Sequence, residues 1–205
     1  MTLSDLRKRF YDHKAERLTF VRGTDAAVLI PLVEKNGEWN ILFEVRQSGI
    51  PQEGEICFPG GRIEAEETAE HTARRETAEE LLLAQEQVEV VAPVSWMAGH
   101  WGGDICSYLG VLHDYDGTFA PAEVARVFLL PLSWFEGHPP REAEAKMVFQ
   151  GEEGFPYHLI PGGENYPFAS MPRRMYFYET EYGVIWGLTA SLLHHFLSIL
   201  EEKAQ

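Results

Sequence analysis

Cysteine is nearly missing from these 205 residues. Only Cys57 and Cys106 occur, so the chain has neither a disulfide framework nor a paired Cys-x-x-Cys site. Basic residues are also scarce, with 17 Lys and Arg against 32 Asp and Glu, for a net charge of −15. Such a surface repels a phosphate backbone and argues against general nucleic-acid binding. A small phosphorylated ligand would need local positive charge, from metal ions or a few placed basic side chains. No run approaches the roughly 18 apolar residues of a membrane span. The start, MTLSDLRKRFYDHKAERL, has no long apolar stretch behind its basic residues, unlike a signal peptide. The eight histidines form no HExxH and no evident ligand cluster, which argues against zinc. A soluble cytoplasmic protein, without membrane or nucleic-acid partners, is the expectation.

Composition is otherwise that of an ordinary globular protein, 45% hydrophobic and 24% charged. With no linker, repeat or low-complexity tract, one domain over 1–205 is expected. Residues 3–17 read as a helix, with Ser4 as its cap. The apolar run 26–33 reads as a buried strand, Asn36-Gly37 as a hairpin turn and 39–45 as the return strand. A loop rich in Gly, Pro and Gln, 46–61, precedes a helix over 66–83. Strands are expected at 88–94, 105–112, 126–132 and 145–150, then a loop to 173, a strand at 174–179 and a last helix at about 188–202. That helix, with Leu192, Leu193 and Phe196, serves a core or a dimer interface. The order suits an α+β domain with helices packed on a mixed sheet.

The helix over 66–83 carries the most chemistry. Glu76 and Glu80, four residues apart, share a face, and Glu79 lies beside them. Three carboxylates on one turn repel by a few tenths of a kcal/mol per pair. Arg75 can offset this by pairing with Glu79, and a divalent cation can do so more strongly. Carboxylate oxygens suit Mg²⁺ or Mn²⁺, held with one or two carboxylates plus substrate phosphates. Taken alone, acidic helices are more often solvated faces. Upstream, however, stand Phe58-Pro59-Gly60-Gly61, two glycines that let the backbone come close to a ligand or metal and present a carbonyl to it.

The combination Gly61, Glu67, Arg75-Glu76, Ala78 and Glu79-Glu80, spread over 23 residues at fixed spacing, closely resembles the Nudix box. Two positions depart. Thr77 stands where an aliphatic residue is usual, and Leu82 stands where the family has a helix-ending glycine. The resemblance implies the Nudix fold, a mixed sheet sandwiched between helices. It also implies Glu76 and Glu80 as main metal ligands, Glu79 close behind and the Gly60 carbonyl with them. Arg75 would orient a glutamate, and Glu67 would help through water or structure. The implied reaction is attack of a metal-activated water on a diphosphate bond.

Substrate choice lies outside the box. Residues 42–46 (LFEVR) and 54–61 (GEICFPGG) resemble the segment that precedes the box in coenzyme A diphosphatases, with Ile50 near the place of a second basic residue. Residues 123–132 and 178–193 resemble further parts of that subgroup. Coenzyme A hydrolysis to 3′,5′-ADP and a 4′-phosphopantetheine-type product is therefore the leading expectation, with a homodimer on the resemblance alone. Arg46, Arg62, Arg173 and Arg174 are candidates to meet phosphates, with Gly61 giving backbone access. Trp96, Trp101 and Tyr166 are candidates to stack on adenine, each more often packing residues. Glu123, between a loop and a strand, is a candidate general base or extra ligand. Cys57 reads as a small apolar filler. Two other readings stay open: another nucleoside diphosphate derivative such as ADP-ribose or NADH, and a Nudix fold that binds without hydrolysing.

Overall fold

Asn36 and Gly37 both take positive φ, 56° and 79°, and turn β1 (Ala26–Lys35) back into β2 (Glu38–Arg46). This is the two-residue hairpin turn that Asn-Gly favours. The computed structural model describes residues 25–98 and 103–202, with positions 2–4, 8 and 11 nearer the N-terminus. The expected N-terminal helix, apart from isolated positions, and Trp101 lie outside these residues.

β1 is apolar almost throughout because both of its faces are covered. Ile30 and Leu32 enter one core cluster, while Ala27, Leu29 and Val33 enter the other. β2 alternates in the same way, with Ile41, Phe43 and Val45 on the first side and Leu42 on the second. Around this pair a seven-stranded sheet forms in the order β3-β2-β1-β6-β5, with β4 also on β1 and β7 also on β2. The added strands are β3 (Ile56–Cys57), β4 (Gly60–Arg62), β5 (Val88–Ala98), β6 (Asp104–Leu112) and β7 (Val124–Pro131). β1 and β6 run parallel and the other pairs antiparallel, so the sheet is mixed, as expected.

Helix α1 (Ala69–Glu80) covers one face and contributes Ala73 and Ala78 to the second cluster. Helix α2 (Leu132–Gly137) is a single short turn that buries Phe135. Helix α3 (Gly187–Glu202) covers the other face with Leu192, Leu193 and Phe196. A second sheet, β10-β9-β8, is built from β8 (Arg141–Met147), β9 (Met171–Thr180) and β10 (Gly183–Ile185). Its separation from the main sheet is not visible in sequence, because β8 is largely exposed and lacks an apolar pattern. Among the described residues no helix is long and apolar enough to cross a membrane.

α1 is shorter than the expected 66–83. Thr68 caps its start by accepting the His71 N–H at 3.2 Å. Its end is closed by Leu83 N–H to Ala78 O (2.8 Å) and Leu82 N–H to Glu79 O (3.4 Å), with Leu82 at φ 54°. This is a Schellman closure with leucine in the left-handed position that glycine usually fills. The helix therefore ends where a glycine would end it, and the loss of glycine is met by strain instead of extension. The left-handed conformation costs a non-glycine residue about 1 to 2 kcal/mol, and Leu82 is 58% exposed, so it adds little packing in return. Leu82→Gly is expected to raise the unfolding free energy by about 1 kcal/mol in urea titration; a decrease would show that the leucine packs usefully. Thr77, fully buried at an aliphatic position, satisfies its hydroxyl on Ala73 O at 2.6 Å.

Candidate active site

Gly60 and Gly61 pair with Val28 and Ala27 as β4 runs beside β1. Gly60 has φ 153°, and a Cβ there would fall 2.6 Å from the Val28 Cα and onto the Ala27 carbonyl. Gly61 faces α1, where an added Cβ would meet the Glu76 carboxylate, 2.6 Å from Oε2. The first glycine lets the strand close on β1, and the second leaves room for a glutamate head.

α1 presents its acidic residues to these glycines in a gradient of burial. Glu80 is 6% exposed and accepts the Gly60 N–H on Oε2 at 2.9 Å. Burial pushes its carboxyl up to about 8, helped by the nearby Glu76 and Glu123 charges and opposed by the Gly60 N–H and Arg46. Glu76 is also raised, first by burial, although Arg75 pulls it down. Glu79 turns outward and is mostly exposed.

Arg75 organises this turn. Its Nε and Nη2 donate to the two oxygens of Glu67 at 2.8 and 3.0 Å, and its Nη1 donates to Glu76 at 2.8 Å and Glu79 at 3.2 Å. Glu67 also accepts from Thr72 Oγ1 and pairs with His71 Nδ1, both at 2.7 Å. These bonds, Arg75 foremost, hold Glu67 well below the usual carboxylate range. Glu67 thus anchors Arg75, and Arg75 aims Glu76. Among the described residues no three acidic, His or Cys side chains form a finished metal cage. What the chain offers is a half-shell of hard oxygens centred on Glu80 and Glu76. That fits Mg²⁺ or Mn²⁺, which keep waters and take the rest of their shell from substrate phosphates.

The NUDIX domain model matches residues 23–150, more than half of the chain. The chain belongs to the Nudix family. It is a Nudix hydrolase, similar to enzymes that split diphosphates. It is 30% identical over 168 residues to the mouse peroxisomal coenzyme A diphosphatase NUDT7, spanning 78% of this chain and 70% of that protein. It is 29% identical over 188 residues to the human mitochondrial coenzyme A diphosphatase NUDT8, spanning 87% of this chain and 70% of that protein. A MutT/nudix family protein from Enterococcus faecalis shares the fold, with a TM-score of 0.51 at 12% identity over 98% of this chain and 70% of that one.

Within this Nudix fold the other candidate residues fare unequally. Glu123, just before β7, acts electrostatically on Glu76 and Glu80, so it belongs to the carboxylate group. Arg46, at the end of β2, also acts on Glu80, and its Nε is tied to Pro51 O at 2.8 Å. Arg62 follows Gly61 in β4, where strand alternation turns it to the opposite face from the one Gly61 shows to Glu76. Arg173 and Arg174 lie on β9 in the second sheet, across from Ala145 and Glu144, and Arg174 pairs diagonally with Glu142 at 3.5 Å. Arg174 is thus paired within the second sheet, to Glu142 and not to a glutamate of α1. Trp96 is 63% exposed on β5, and Tyr166 packs against Phe168 with ring centroids 4.9 Å apart. The Cys57 thiol is pushed up to about 12 by burial and by Glu44 and Glu80, which keeps it protonated and suits a filler.

One member of the group had no place among the sequence candidates. Glu44 sits in the middle of β2, is 2% exposed, and its carboxyl is raised well above the ordinary range by burial and by Glu80. The signal is a carboxylate at the fourth position of Ile41-Leu42-Phe43-Glu44-Val45, inside a strand with both faces covered. Such a charge is almost never buried without a partner or a task.

Proposed function

We propose that this Nudix hydrolase splits the diphosphate of coenzyme A or its derivatives, giving 3′,5′-ADP and a 4′-phosphopantetheine-type product, with Mg²⁺ or Mn²⁺ held at Glu76 and Glu80. The observation that carries the substrate is the similarity, over more than three quarters of this chain, to proteins named as coenzyme A diphosphatases.

A divalent cation at this place polarises phosphoryl oxygens and lowers the pKa of a neighbouring water. The chain's own residues do the rest. Gly60 fixes one oxygen of Glu80, which leaves the rest of that carboxylate for the cation. Arg75, clamped by Glu67, sets the direction of Glu76 and holds Glu79 in reserve at the rim. Glu123, exposed just before β7, accepts the proton of the attacking water. Arg46 supplies a fixed positive charge beside an otherwise acidic group, where substrate phosphates enter.

Product analysis tests this directly. Purified protein is incubated with coenzyme A, an acyl-coenzyme A or ADP-ribose, with and without Mg²⁺ or Mn²⁺. The expected result is 3′,5′-ADP from the coenzyme A compounds, only with cation and faster than AMP from ADP-ribose. A faster ADP-ribose reaction moves the substrate to the nucleoside diphosphate sugars. No cation-dependent turnover of any of the three rejects the reading.

A further inference from the structure

β2 carries Glu44 on the face of the sheet that α1 covers, within electrostatic reach of Glu80. Phe43 and Val45 go to the cluster under α3, and Leu42 goes to the cluster under α1. Side chains alternate along a strand, so Glu44 shares the α1 face with Leu42. Arg46, two residues on, is also on that face and acts electrostatically on both Glu44 and Glu80. Glu44 registers with Cys57 on one neighbouring strand and Val127 on the other, and neither offers it a strong donor.

Its Oε1 is buried and has no hydrogen-bond partner among the described residues. Besides Arg46, the charges that act on it are Glu80 and Glu123, both of its own sign. An unpaired carboxylate in the interior costs several kcal/mol. Apolar Leu42 shows that this face of the strand could have been filled without that cost. A strand buried on both faces that keeps such a group is holding an oxygen for something that is not polypeptide.

We propose that Glu44 supplies a direct oxygen ligand, through its unpartnered Oε1, to the divalent cation held by Glu80. This rests on the cation site of the preceding reading. Glu44 then approaches the ion from the sheet while Glu76 and Glu80 approach from the helix. The ion thereby ties α1 to β2, and the cation-free protein carries the penalty of an unsatisfied buried group.

The test uses Mn²⁺ alone, without substrate. Its affinity is measured by titration calorimetry for the wild-type chain, E44Q and E44L, and melting temperatures are recorded with and without the ion. Wild type should bind Mn²⁺ and melt higher with it. E44Q and E44L should bind about tenfold or more weakly, lose most of the cation-induced rise, and melt without cation at or above wild type. Mn²⁺ affinity within twofold of wild type in E44L overturns the proposal. So does cation-free melting below wild type in both variants, which makes Glu44 a structural residue. Absence of Mn²⁺ binding by wild type is a different failure, that of the cation site itself.

Discussion

Glu80→Gln should leave the chain folded, make it more stable without cation, and lower turnover of a diphosphate substrate by at least about 100-fold. The glutamine carbonyl can keep the Gly60 N–H bond that Glu80 Oε2 now makes at 2.9 Å, so the helix and β4 stay in place. What disappears is a negative charge 6% exposed beside Glu76, Glu123 and Glu44. A neutral amide is a poor ligand for a hard cation, and the charge that develops on phosphoryl oxygens then lacks a firmly held counter-ion.

The same substitution separates the site from a solvated acidic face through pH. The ordinary glutamate value is about 4.3, and in the folded, cation-free chain Glu80 is raised to about 8. Between those values the folded chain binds more protons than the unfolded one. This contribution to stability is therefore full below about pH 4 and lost as pH rises towards 8, an effect on the order of a few kcal/mol. Cation-free wild type should melt at falling temperature from pH 5 to 8, and Glu80→Gln should lose much of that slope; Glu44, raised first by its own burial, keeps part of it. Bound cation favours the ionised carboxylate, so the wild-type slope should flatten when Mg²⁺ is added. Near-normal turnover in the variant, or parallel pH profiles for the two proteins, would reject the assignment of Glu80.

Much of this site was legible because its parts are local. Asn36-Gly37 fixes a hairpin by its own backbone preference, and the spacing of the box places Glu76, Glu79 and Glu80 on the last turn of a helix and Glu67 in the loop before it. The unread parts depend on contacts between distant segments. Glu67 is not merely a box position; it accepts Arg75 with both oxygens across eight residues, and no periodicity announces that bond. Arg173 looks like any loop-proximal arginine until β8 and β9 pair away from the main sheet. Leu82 predicts a longer helix by propensity, yet the closing bonds of Leu82 and Leu83 accept a left-handed leucine to end it. Glu44 is the opposite case: its oddity is visible in ILFEV, but only the facing of β2 against α1 makes it a candidate for the site.

The two glycines should respond in opposite ways to the same added methyl. At Gly61 the backbone φ is not in the positive range, and the three nearest atoms the methyl would meet all belong to the Glu76 carboxylate, the far end of a flexible side chain. Glu76 can swing aside, at the expense of its 2.8 Å bond from Arg75, and the strand need not move. Gly61→Ala should therefore change unfolding free energy by no more than about 1 kcal/mol, while turnover falls about tenfold or more if Glu76 holds the cation as proposed. At Gly60 the two nearest atoms are backbone, and the third is the stiff, branched Val28 Cγ1 at 2.8 Å. The methyl meets the Ala27 carbonyl and lies 2.6 Å from the Val28 Cα, both backbone atoms of a central strand, at φ 153°. Overpacking against backbone and the unfavourable φ together should cost about 3 kcal/mol or more. Urea titration and turnover of each variant, measured side by side, check the contrast. Equal destabilisation by the two substitutions would mean that Gly61, like Gly60, serves strand packing, and that the space beside Glu76 has no part in the site.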